Sequence, residues 1–287
     1  MKGIVLSGGT GTRLGPISKS VIKQLLPIYD KPMIYYPIST LMLSGVREIL
    51  LITTPKEVER FKFLLGDGSA WGISISYLTQ DSPRGIGDAF ILGEKFIESE
   101  NVALALGDNI LHGPGLGSQL EQNRKIVGAK IFGYEVSNPK SYGVVTLDNS
   151  GKPISIVEKP DITSSKLAVP GLYFYDSSVV GIAKDTKPSS RNEIEITSIN
   201  QIYLNKNQLE VCVLPRGTAW LDAGTPESLH DAATYVRLIE QRQGLKVSCP
   251  EEIAWRKSWI SDAQLNKLAE SYPNSDYSDY LRSLTLL

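Results

Sequence analysis

The sequence has few cysteines, almost no net charge and no long apolar run. Its 287 residues include 2 cysteines, Cys212 and Cys249, which are too few for a disulfide scaffold and lack the spacing of a metal cage. Lysine and arginine number 30 against 31 acidic residues, and a formal net charge of -1 disfavours non-specific binding to nucleic acid. No signal-peptide pattern and no stretch of about 18 apolar residues is present. We therefore expect a globular protein of the reducing cytoplasm, without nucleic-acid or membrane partners.

Apolar strands alternate with helices over the first 110 residues or so. Strand-like runs rich in β-branched residues lie at 3–7, 48–54, 73–80 and 101–109. Helical patterns separate them at 32–45, 56–66 and 88–99. Continuous apolar strands joined by helices are typical of a mostly parallel sheet that is covered on both faces. The pattern predicts an α/β, Rossmann-like fold in which a mostly parallel central sheet is flanked by helices.

The middle and the end of the chain change character. Three strand-like segments with turn residues among them occupy 131–160, and a fourth follows at 167–176. They predict a mixed or antiparallel extension built onto the parallel sheet. Helical signals return at 192–205 and again after Pro226, and the tail from Pro250 combines helical patterning with aromatic anchors. The pattern predicts a small helical region at the C-terminus.

A glycine-rich turn follows the first strand, in the stretch LSGGTGTRLG. Glycines let backbone N–H groups approach a phosphate without interference from a Cβ. The dinucleotide pattern GxGxxG fails because Leu14 stands where the third glycine should be, and no P-loop string occurs. The turn contains Arg13, whose guanidinium can bind phosphate oxygens in a bidentate manner. The sequence favours a third kind of phosphate cradle over the alternative, a turn whose glycines serve only its backbone conformation.

Many short motifs follow this turn in a fixed order. After GGTGTRL come KQLLPIYDKPMIYYP, LLGDGSAWG, LGDN, YGVV, EKP, GLYFYD, EIEIT, AWLDAGT and RQGLKVSCPEE. Each string alone is weak, but the ordered series resembles the nucleotidyltransferases that activate sugar 1-phosphates, most closely the glucose-1-phosphate thymidylyltransferases. The resemblance covers nearly the whole chain. It implies a core at 1–240, with a nucleotide-binding half at about 1–128 and a sugar-binding half at about 129–240, and a helical C-terminal segment at 241–287 that packs on the core.

The resemblance implies transfer of a thymidylyl group from dTTP to α-D-glucose 1-phosphate, giving dTDP-glucose and pyrophosphate. The nucleophile is already an anion, so the chemical difficulty is repulsion between two polyanions rather than removal of a proton. Mg²⁺ is the expected cofactor because it takes hard oxygen ligands, often one or two carboxylates together with phosphates and water. A homotetramer and a role in nucleotide-sugar biosynthesis, such as the dTDP-rhamnose pathway of polysaccharide formation, are also implied.

Two aspartates are expected to hold the metal. Asp108 follows the strand VALALG and Asp222 follows AWL, and ligands of open α/β sheets bind beyond the carboxyl ends of the strands. The residues alone favour turn-capping aspartates, and the resemblance reverses that preference. It assigns Arg13 to the α-phosphate and departing pyrophosphate and Lys23 to the reacting phosphate, where the common alternative is a solvated surface charge. With Lys159 on the sugar phosphate, these residues form the predicted catalytic set.

The resemblance also implies two sets of binding residues. Gln80 can pair with the N3–H and a carbonyl of thymine, whereas the alternative is a solvent-facing strand end. The nucleotide set, besides Arg13, Lys23, Gln80 and Asp108, is Leu6, Gly8, Gly9, Gly11, Thr12, Gln24 and Gly85. The sugar-phosphate set is Asn109, Tyr142, Gly143, Glu158, Lys159, Val169 and Arg191. Because side chains alternate along a strand, Glu158 and Lys159 both face the sugar only if the strand ends or bulges there. Trp220 is expected to pack beside Asp222 rather than to bind a ligand.

Several positions depart from the family pattern. A loop that commonly has the form SPxGLAQA is SPRGIGDA here, which introduces Arg84, Gly87 and Asp88. The other departures are Gly15 in place of an aromatic residue, Ala223 in the DxGT motif, Pro170 before GLYFYD and Ser198 after EIT. None removes a predicted metal ligand or phosphate cation. Two alternatives stay open: the same chemistry with UTP or another sugar 1-phosphate, and a nucleotide-sugar-binding homologue with weakened catalysis.

Overall fold

The strands define the architecture. The protein is described by a computed structural model over residues 1–9, 11–19, 21–122 and 126–286. Within these residues the strands are β1 Lys2–Ser7, β2 Pro27–Ile28, β3 Lys31–Pro32, β4 Glu48–Thr53, β5 Ser74–Thr79, β6 Val102–Leu106, β7 Asn109–His112, β8 Ala129–Glu135, β9 Gly143–Leu147, β10 Pro153–Glu158, β11 Leu167–Ala168, β12 Leu172–Tyr175, β13 Leu209–Val213 and β14 Ala219–Asp222. Ten of them form one large sheet, and the pairs β2–β3 and β7–β14 lie outside it.

The large sheet has a parallel half and a mixed half. Its order is β10-β9-β11-β8-β12-β6-β1-β4-β5, and β13 pairs with β8 off this path. Strands β6, β1, β4 and β5 run parallel to one another, whereas β12 is antiparallel to both β6 and β8. Strands β8 to β11 continue as an antiparallel extension. The predicted fold class, a mostly parallel sheet with an antiparallel extension, is confirmed.

The helices follow the predicted periodicity with a few differences. They are α1 Tyr35–Leu43, α2 Val58–Leu65, α3 Asp88–Leu92, α4 Glu94–Ile97, α5 Leu116–Glu121, α6 Val179–Asp185, α7 Ile196–Asn205, α8 Pro226–Gln243, α9 Pro250–Arg256, α10 Asp262–Glu270 and α11 Asp276–Leu284. The helix predicted at 88–99 is divided at Gly93, where glycine's low helix propensity coincides with a break in regular geometry. The sequence prediction also missed the short elements α5, α6, β2, β3 and β7. Within the described residues, none of the helices combines the length and the apolar character needed to cross a bilayer.

Alternation along the parallel strands distributes their side chains between two cores. Val5, Ile49 and Leu51 contribute to a core with α1, α2 and the C-terminal helices. Their neighbours Ile4 and Leu50 face the opposite side, where α3, α6 and α7 pack. A strand with period-two side chains can be apolar throughout only when both faces are covered, as here. Helix α8 packs separately against β2 and the adjoining segment.

Candidate active site

The two predicted metal-binding aspartates meet beyond the carboxyl end of β6. Asp108 lies two residues after β6, and the chain then turns into β7. Strand β14 pairs antiparallel with β7 in a register that places Asp222 opposite Asn109. The backbone N–H of Ala223 donates to the Asp108 carbonyl oxygen at 3.1 Å, which joins the two segments. Asp222 therefore arrives on a strand outside the large sheet, and the β7–β14 pairing brings its segment beside Asp108.

The two carboxylates have opposite electrostatic environments. Lys23 donates directly to Asp108 Oδ2, and the Asn109 amide donates to Oδ1 at 3.0 Å. Burial alone would raise the pKa of Asp108, but the charge and hydrogen bond of Lys23 lower it below its ordinary value. Burial and the charge of Asp108 raise the pKa of Asp222, against the opposing effect of Arg13. A cation bound between the two carboxylates would reduce the repulsion between their negative charges.

The donor set fits a hard divalent ion with few protein ligands. Among the described residues, no group of three or more histidine, cysteine, aspartate or glutamate side chains comes together as a metal cage. Mg²⁺ commonly takes only one or two carboxylates and completes its shell with phosphate oxygens and water. The chemistry of Asp108 and Asp222 is compatible with such an ion, and an all-protein cage of the zinc type is not formed by the residues that the structure describes.

The glycine-rich turn brings Arg13 to the same place. A Cβ added at Gly224, in the segment that follows Asp222, would lie 2.8 Å from Arg13 Nη2. A Cβ at this position would displace the guanidinium from the place where it lies. Arg13 also lines the cavity that contains both aspartates. Gly224 is therefore a site residue that the sequence reasoning missed, although it lies in the quoted AWLDAGT motif.

Unpaired polar atoms lie beneath the same turn. Gln24 is 1% exposed and Ser7 is 0% exposed, and neither Gln24 Oε1 nor Ser7 Oγ has a hydrogen-bond partner among the described residues. A buried polar atom without a partner is costly, and such atoms in native proteins often mark a ligand or water site. The backbone around them is fixed, because the Gly107 N–H donates to the Leu6 carbonyl at 3.0 Å. Ser7 and Gln24 lie together beside Gly107, so their two unpaired oxygens are available to a ligand or to water.

The predicted base-reading residue is buried and not solvent-facing. Gln80 is 7% exposed, and its Nε2 donates to Asp88 Oδ2 at 2.7 Å. A Cβ added at Gly8 would lie 3.3 Å from Gln80 Oε1, so the amide oxygen faces the start of the glycine-rich turn. The other predicted members of the nucleotide set, Leu6, Gly9, Gly11, Thr12 and Gly85, lie at the end of β1, in this turn and in the loop that precedes α3.

A cavity of about 170 Å³ adjoins the two aspartates. Predicted residues that line it are Arg13, Asp108, Asn109, Tyr142, Gly143, Glu158, Val169 and Asp222. Thr197 Oγ1 donates to Glu158 Oε2 at 2.6 Å, which fixes the carboxylate in the cavity wall. The lining residues that the prediction missed include Tyr173, Glu195, Thr197 and Asn200. The EIEIT motif contains two of these, so a closer use of that motif could have found them.

Asn109 is held by three partners. Its Oδ1 accepts from the Gly171 N–H at 2.9 Å and from Trp220 Nε1 at 2.7 Å, while its Nδ2 donates to Asp108. The Trp220 ring also packs on Tyr142, with ring centroids 4.8 Å apart. Trp220 was expected only to pack, and it does so, but it lines the cavity and orients Asn109 as well.

Two predicted cations lie at the margin of the cavity. Strand β10 ends at Glu158, and Lys159 has a left-handed backbone with φ of 43°, which agrees with the expected end of the strand. Lys159 Nζ lies 3.5 Å from Glu158 Oε1. Arg191 pairs with Glu195 at 2.8 Å and with Glu193 at 3.3 Å. Among the described residues that line the cavity, neither cation appears, so each can reach a ligand only from the rim.

Comparisons with known proteins identify the family of this chain. The family model for nucleotidyl transferases matches residues 2–237. The glucose-1-phosphate thymidylyltransferase of Mycobacterium tuberculosis is 55% identical over 284 residues, covering 99% of each chain, and that of Neisseria meningitidis is 52% identical over 285 residues, again covering 99% of each.

Two solved structures of related enzymes also match the fold of this chain. A Bacillus anthracis crystal structure described as a glucose-1-phosphate thymidylyltransferase with sucrose has a TM-score of 0.76 and 39% identity, covering 83% of this chain and 95% of that one. A UDP-glucose pyrophosphorylase with UDP-glucose has a TM-score of 0.72 at 25% identity, covering 83% and 98%. Enzymes of this family generally use a divalent metal. With this coverage and identity, the chain belongs to the nucleotidyl transferase family and, within it, to the glucose-1-phosphate thymidylyltransferases.

Proposed function

We propose that the protein transfers a thymidylyl group from dTTP to α-D-glucose 1-phosphate, releasing pyrophosphate and dTDP-glucose. The observation that carries this proposal is the meeting of Asp108, Asp222, Lys23 and Arg13 between the glycine-rich turn and the cavity lined by Glu158. One side offers backbone and cations for a triphosphate, and the other offers fixed hydrogen-bonding groups for a sugar. The sequence relatives carry the same activity in their names.

The proposed reaction is a single in-line displacement at phosphorus. An oxygen of the sugar 1-phosphate attacks the α-phosphorus of dTTP, and a new P–O bond forms while the bond to the bridging oxygen of pyrophosphate breaks. The bridging oxygen leaves with the electron pair, so no protein base is required. The protein's task is to align two anions and to offset their repulsion.

The chain's own residues divide this task. Arg13 would contact the α-phosphate and the departing pyrophosphate, because its guanidinium suits two phosphate oxygens at once. Lys23 would turn from Asp108 toward the reacting phosphate. Asp108 and Asp222 would hold Mg²⁺, and this ion, when bound, would neutralise phosphate charge at the reacting centre.

Substrate recognition falls to the two flanking regions. Gln80 and the backbone near Gly8 and Gly85 would frame the thymine. Glu158 would accept hydrogen bonds from sugar hydroxyls, because Thr197 already fixes its carboxylate in the cavity. The rest of the predicted sugar-phosphate set, Asn109, Tyr142, Gly143, Val169, Lys159 and Arg191, would complete the sugar and phosphate contacts.

A substrate screen tests the proposal directly. Pyrophosphate release is measured with dTTP, UTP, dCTP, dATP and dGTP, each against glucose 1-phosphate, glucosamine 1-phosphate and galactose 1-phosphate, with and without Mg²⁺. We expect the highest kcat/KM for dTTP with glucose 1-phosphate. A clear preference for UTP or for another sugar phosphate would replace the proposed substrates, and tight nucleotide binding without turnover would replace the proposed activity.

The proposal extends to organisation and assembly. We propose the division into a core at 1–240 and a C-terminal segment at 241–287, and a homotetramer of the reducing cytoplasm. Both Cys212 and Cys249 are free thiols, which is consistent with a reducing compartment. Light scattering coupled to gel filtration would give the mass of the particle, and a monomer or dimer would contradict the tetramer.

A further inference from the structure

Hydrogen bonds connect three side chains near the loop that joins β5 to α3. They are Gln80, Arg84 and Asp88, and we call this hydrogen-bonded group the relay. Asp88 is completely buried, and each of its oxygens accepts hydrogen bonds. Arg84 donates from Nη2 to Oδ1 at 2.8 Å and from Nε to Oδ2 at 3.3 Å. Gln80 Nε2 donates to the same Oδ2 at 2.7 Å. Both Arg84 and Asp88 belong to the SPRGIGDA loop, which the sequence analysis describes as a departure from the common form.

The loop that carries the relay is anchored to a neighbouring segment. The Ile194 N–H donates to the Arg84 carbonyl at 2.7 Å, and the Gly87 N–H donates to the Ile194 carbonyl at 2.9 Å. These two bonds fix the backbone on both sides of the turn between Arg84 and Asp88. A buried carboxylate needs charge-assisted partners, and the bidentate Arg84 supplies them. Asp88 therefore has little freedom to release Gln80.

This relay determines which end of the Gln80 amide faces a ligand. A carboxylate can only accept hydrogen bonds, so it must be met by the NH₂ group of the glutamine and not by its oxygen. Gln80 Oε1 then points the other way, toward the space above Gly8, where a Cβ would lie 3.3 Å from it. One hydrogen of Nε2 is committed to Asp88, and the other stays available beside Oε1.

A fixed amide of this orientation distinguishes between pyrimidines. Uracil and thymine present a donor at N3–H next to a carbonyl acceptor, which matches an acceptor next to a donor. Cytosine presents an acceptor at N3 next to an amino donor, so its N3 lone pair would face Gln80 Oε1. Leaving such buried polar groups unpaired reduces binding and transition-state stabilisation strongly.

We infer that Asp88, clamped by Arg84, is a specificity-determining residue that locks Gln80 with its oxygen toward the base and so excludes cytosine nucleotides. The inference rests on the proposed function, because it takes the space above Gly8 as the base site. Asp88 acts through Gln80 and is a positioning residue, since it does not itself contact the nucleotide.

The test is the substitution Asp88→Asn, which keeps the shape but lets the side chain either donate or accept. Gln80 can then rotate to suit either base. The substrates are dUTP and dCTP, which differ only at the pairing edge, each with glucose 1-phosphate and Mg²⁺. We expect the ratio of kcat/KM for dUTP to that for dCTP to fall about tenfold or more relative to the wild type. Asp81→Asn, the same change at an exposed residue next to Gln80, should leave the ratio unaltered.

A second variant tests the same inference if Asp88→Asn fails to fold. Arg84 is 54% exposed, so Arg84→Ala should fold, and it should lower the same ratio by a smaller factor of about threefold because Asp88 loses its clamp. If Arg84 or Asp88 had only a structural role or touched the phosphates, both nucleotides would lose activity equally and the ratio would stay constant. An unchanged ratio in both variants, or a wild type that uses dUTP and dCTP equally, overturns the inference.

Equilibrium binding separates this inference from the proposed function. Dissociation constants for dUTP and dCTP are measured by calorimetry on the same proteins. If the wild type prefers dUTP and the Asp88→Asn variant does not, the inferred role of Asp88 is supported even without turnover. In that case only the proposed activity fails. If the wild type turns over dTTP but Asp88→Asn still discriminates fully between dUTP and dCTP, only the inferred role of Asp88 is contradicted.

Discussion

The two ends of the candidate site are built differently: the sugar end is the cavity lined by Glu158, and the phosphate end is the glycine-rich turn together with Lys23. At the sugar end, Glu158 is fixed by Thr197, and Asn109 is fixed by Trp220 and Gly171. At the phosphate end, Arg13 projects from a turn as an exposed side chain, and Lys23 is paired with the very carboxylate that would hold a metal. The sugar end consists of groups with several partners each, whereas the phosphate end consists of cations on long, flexible stems.

This difference follows from what each end has to recognise. A sugar hydroxyl is neutral, so it gains energy only from a donor or an acceptor already held at hydrogen-bond distance, and preorganisation decides affinity there. A phosphate is attracted by cations from several ångströms away, and its charge changes position during the reaction. We therefore expect changes at the phosphate end to reduce kcat, and changes at the sugar end to raise the KM for the sugar phosphate.

The largest effect is expected from the two aspartates at the junction of the ends. Asp108→Asn and Asp222→Asn each remove a full negative charge from the proposed metal site. We expect kcat to fall by about 10³-fold or more in each variant, with a modest change in KM for glucose 1-phosphate. Steady-state pyrophosphate release measures both constants.

Chelation provides the matching control for this prediction. Addition of EDTA should abolish activity in the wild type, and excess Mg²⁺ should restore it. The variant Asp81→Asn, which changes an exposed aspartate, should retain the wild-type kcat. Retention of more than about a tenth of the activity in both aspartate variants would contradict the assignment of the metal to this pair, given the size of such effects elsewhere.

A smaller effect is expected from the turn that carries Arg13. In Gly224→Ala the new Cβ would lie 2.8 Å from Arg13 Nη2, so the guanidinium must move. A displacement of this size at a reacting phosphate should lower kcat by about 10- to 100-fold with little loss of thermal stability. Gly181→Ala is the matched control, since a Cβ there meets no atom within 4 Å. Equal activity in the two variants would show that Arg13 does not act at this position.

Local sequence patterns predict the phosphate end better than the sugar end, whose residues were named only through the resemblance. The glycine-rich turn, Arg13 and Asp108 each follow directly from a strand and its adjoining turn, so their placement is local. Asp222 could be proposed only through a motif, because its position depends on the β7–β14 pairing, and β7 itself was not predicted. The local pattern predicts strand ends but not which strands will be neighbours.

The sugar end depends on contacts between distant parts of the chain. Thr197 bonds to Glu158 because α7 packs on β10, and Trp220 bonds to Asn109 across 111 positions of sequence. Neither contact has a periodic or compositional signature. Gln80 was expected to face solvent if it had no role, but it is buried and donates to Asp88, a residue that the sequence showed only as a departure.

At the sugar end, the preorganisation of Glu158 can be removed by one substitution. Thr197→Val keeps the shape of the side chain and removes the hydroxyl that donates to Glu158 at 2.6 Å. We expect the KM for glucose 1-phosphate to rise about tenfold or slightly more, in line with the loss of one hydrogen bond to a charged group at the lower end of its usual range, while the KM for dTTP stays constant. Thr197→Ser, which retains the hydroxyl, should be close to wild type. A fall in kcat without a change in KM would show that the two ends are not separate in the way proposed.

The smallest effect is expected at Arg191, which lies at the rim of the sugar end but resembles the phosphate end in being a flexible cation. Its guanidinium pairs with Glu195, which lines the cavity, so Arg191→Gln frees that carboxylate and removes one positive charge near the sugar phosphate. Because an exposed charge contributes little, we expect the KM for glucose 1-phosphate to rise only about two- to threefold, and less at high salt. Arg256→Gln, which breaks a similar exposed pair with Glu252, should not change KM. A tenfold or larger effect at Arg191 would mean that the guanidinium enters the cavity when the sugar phosphate binds, and the sugar end would then also depend on a mobile cation.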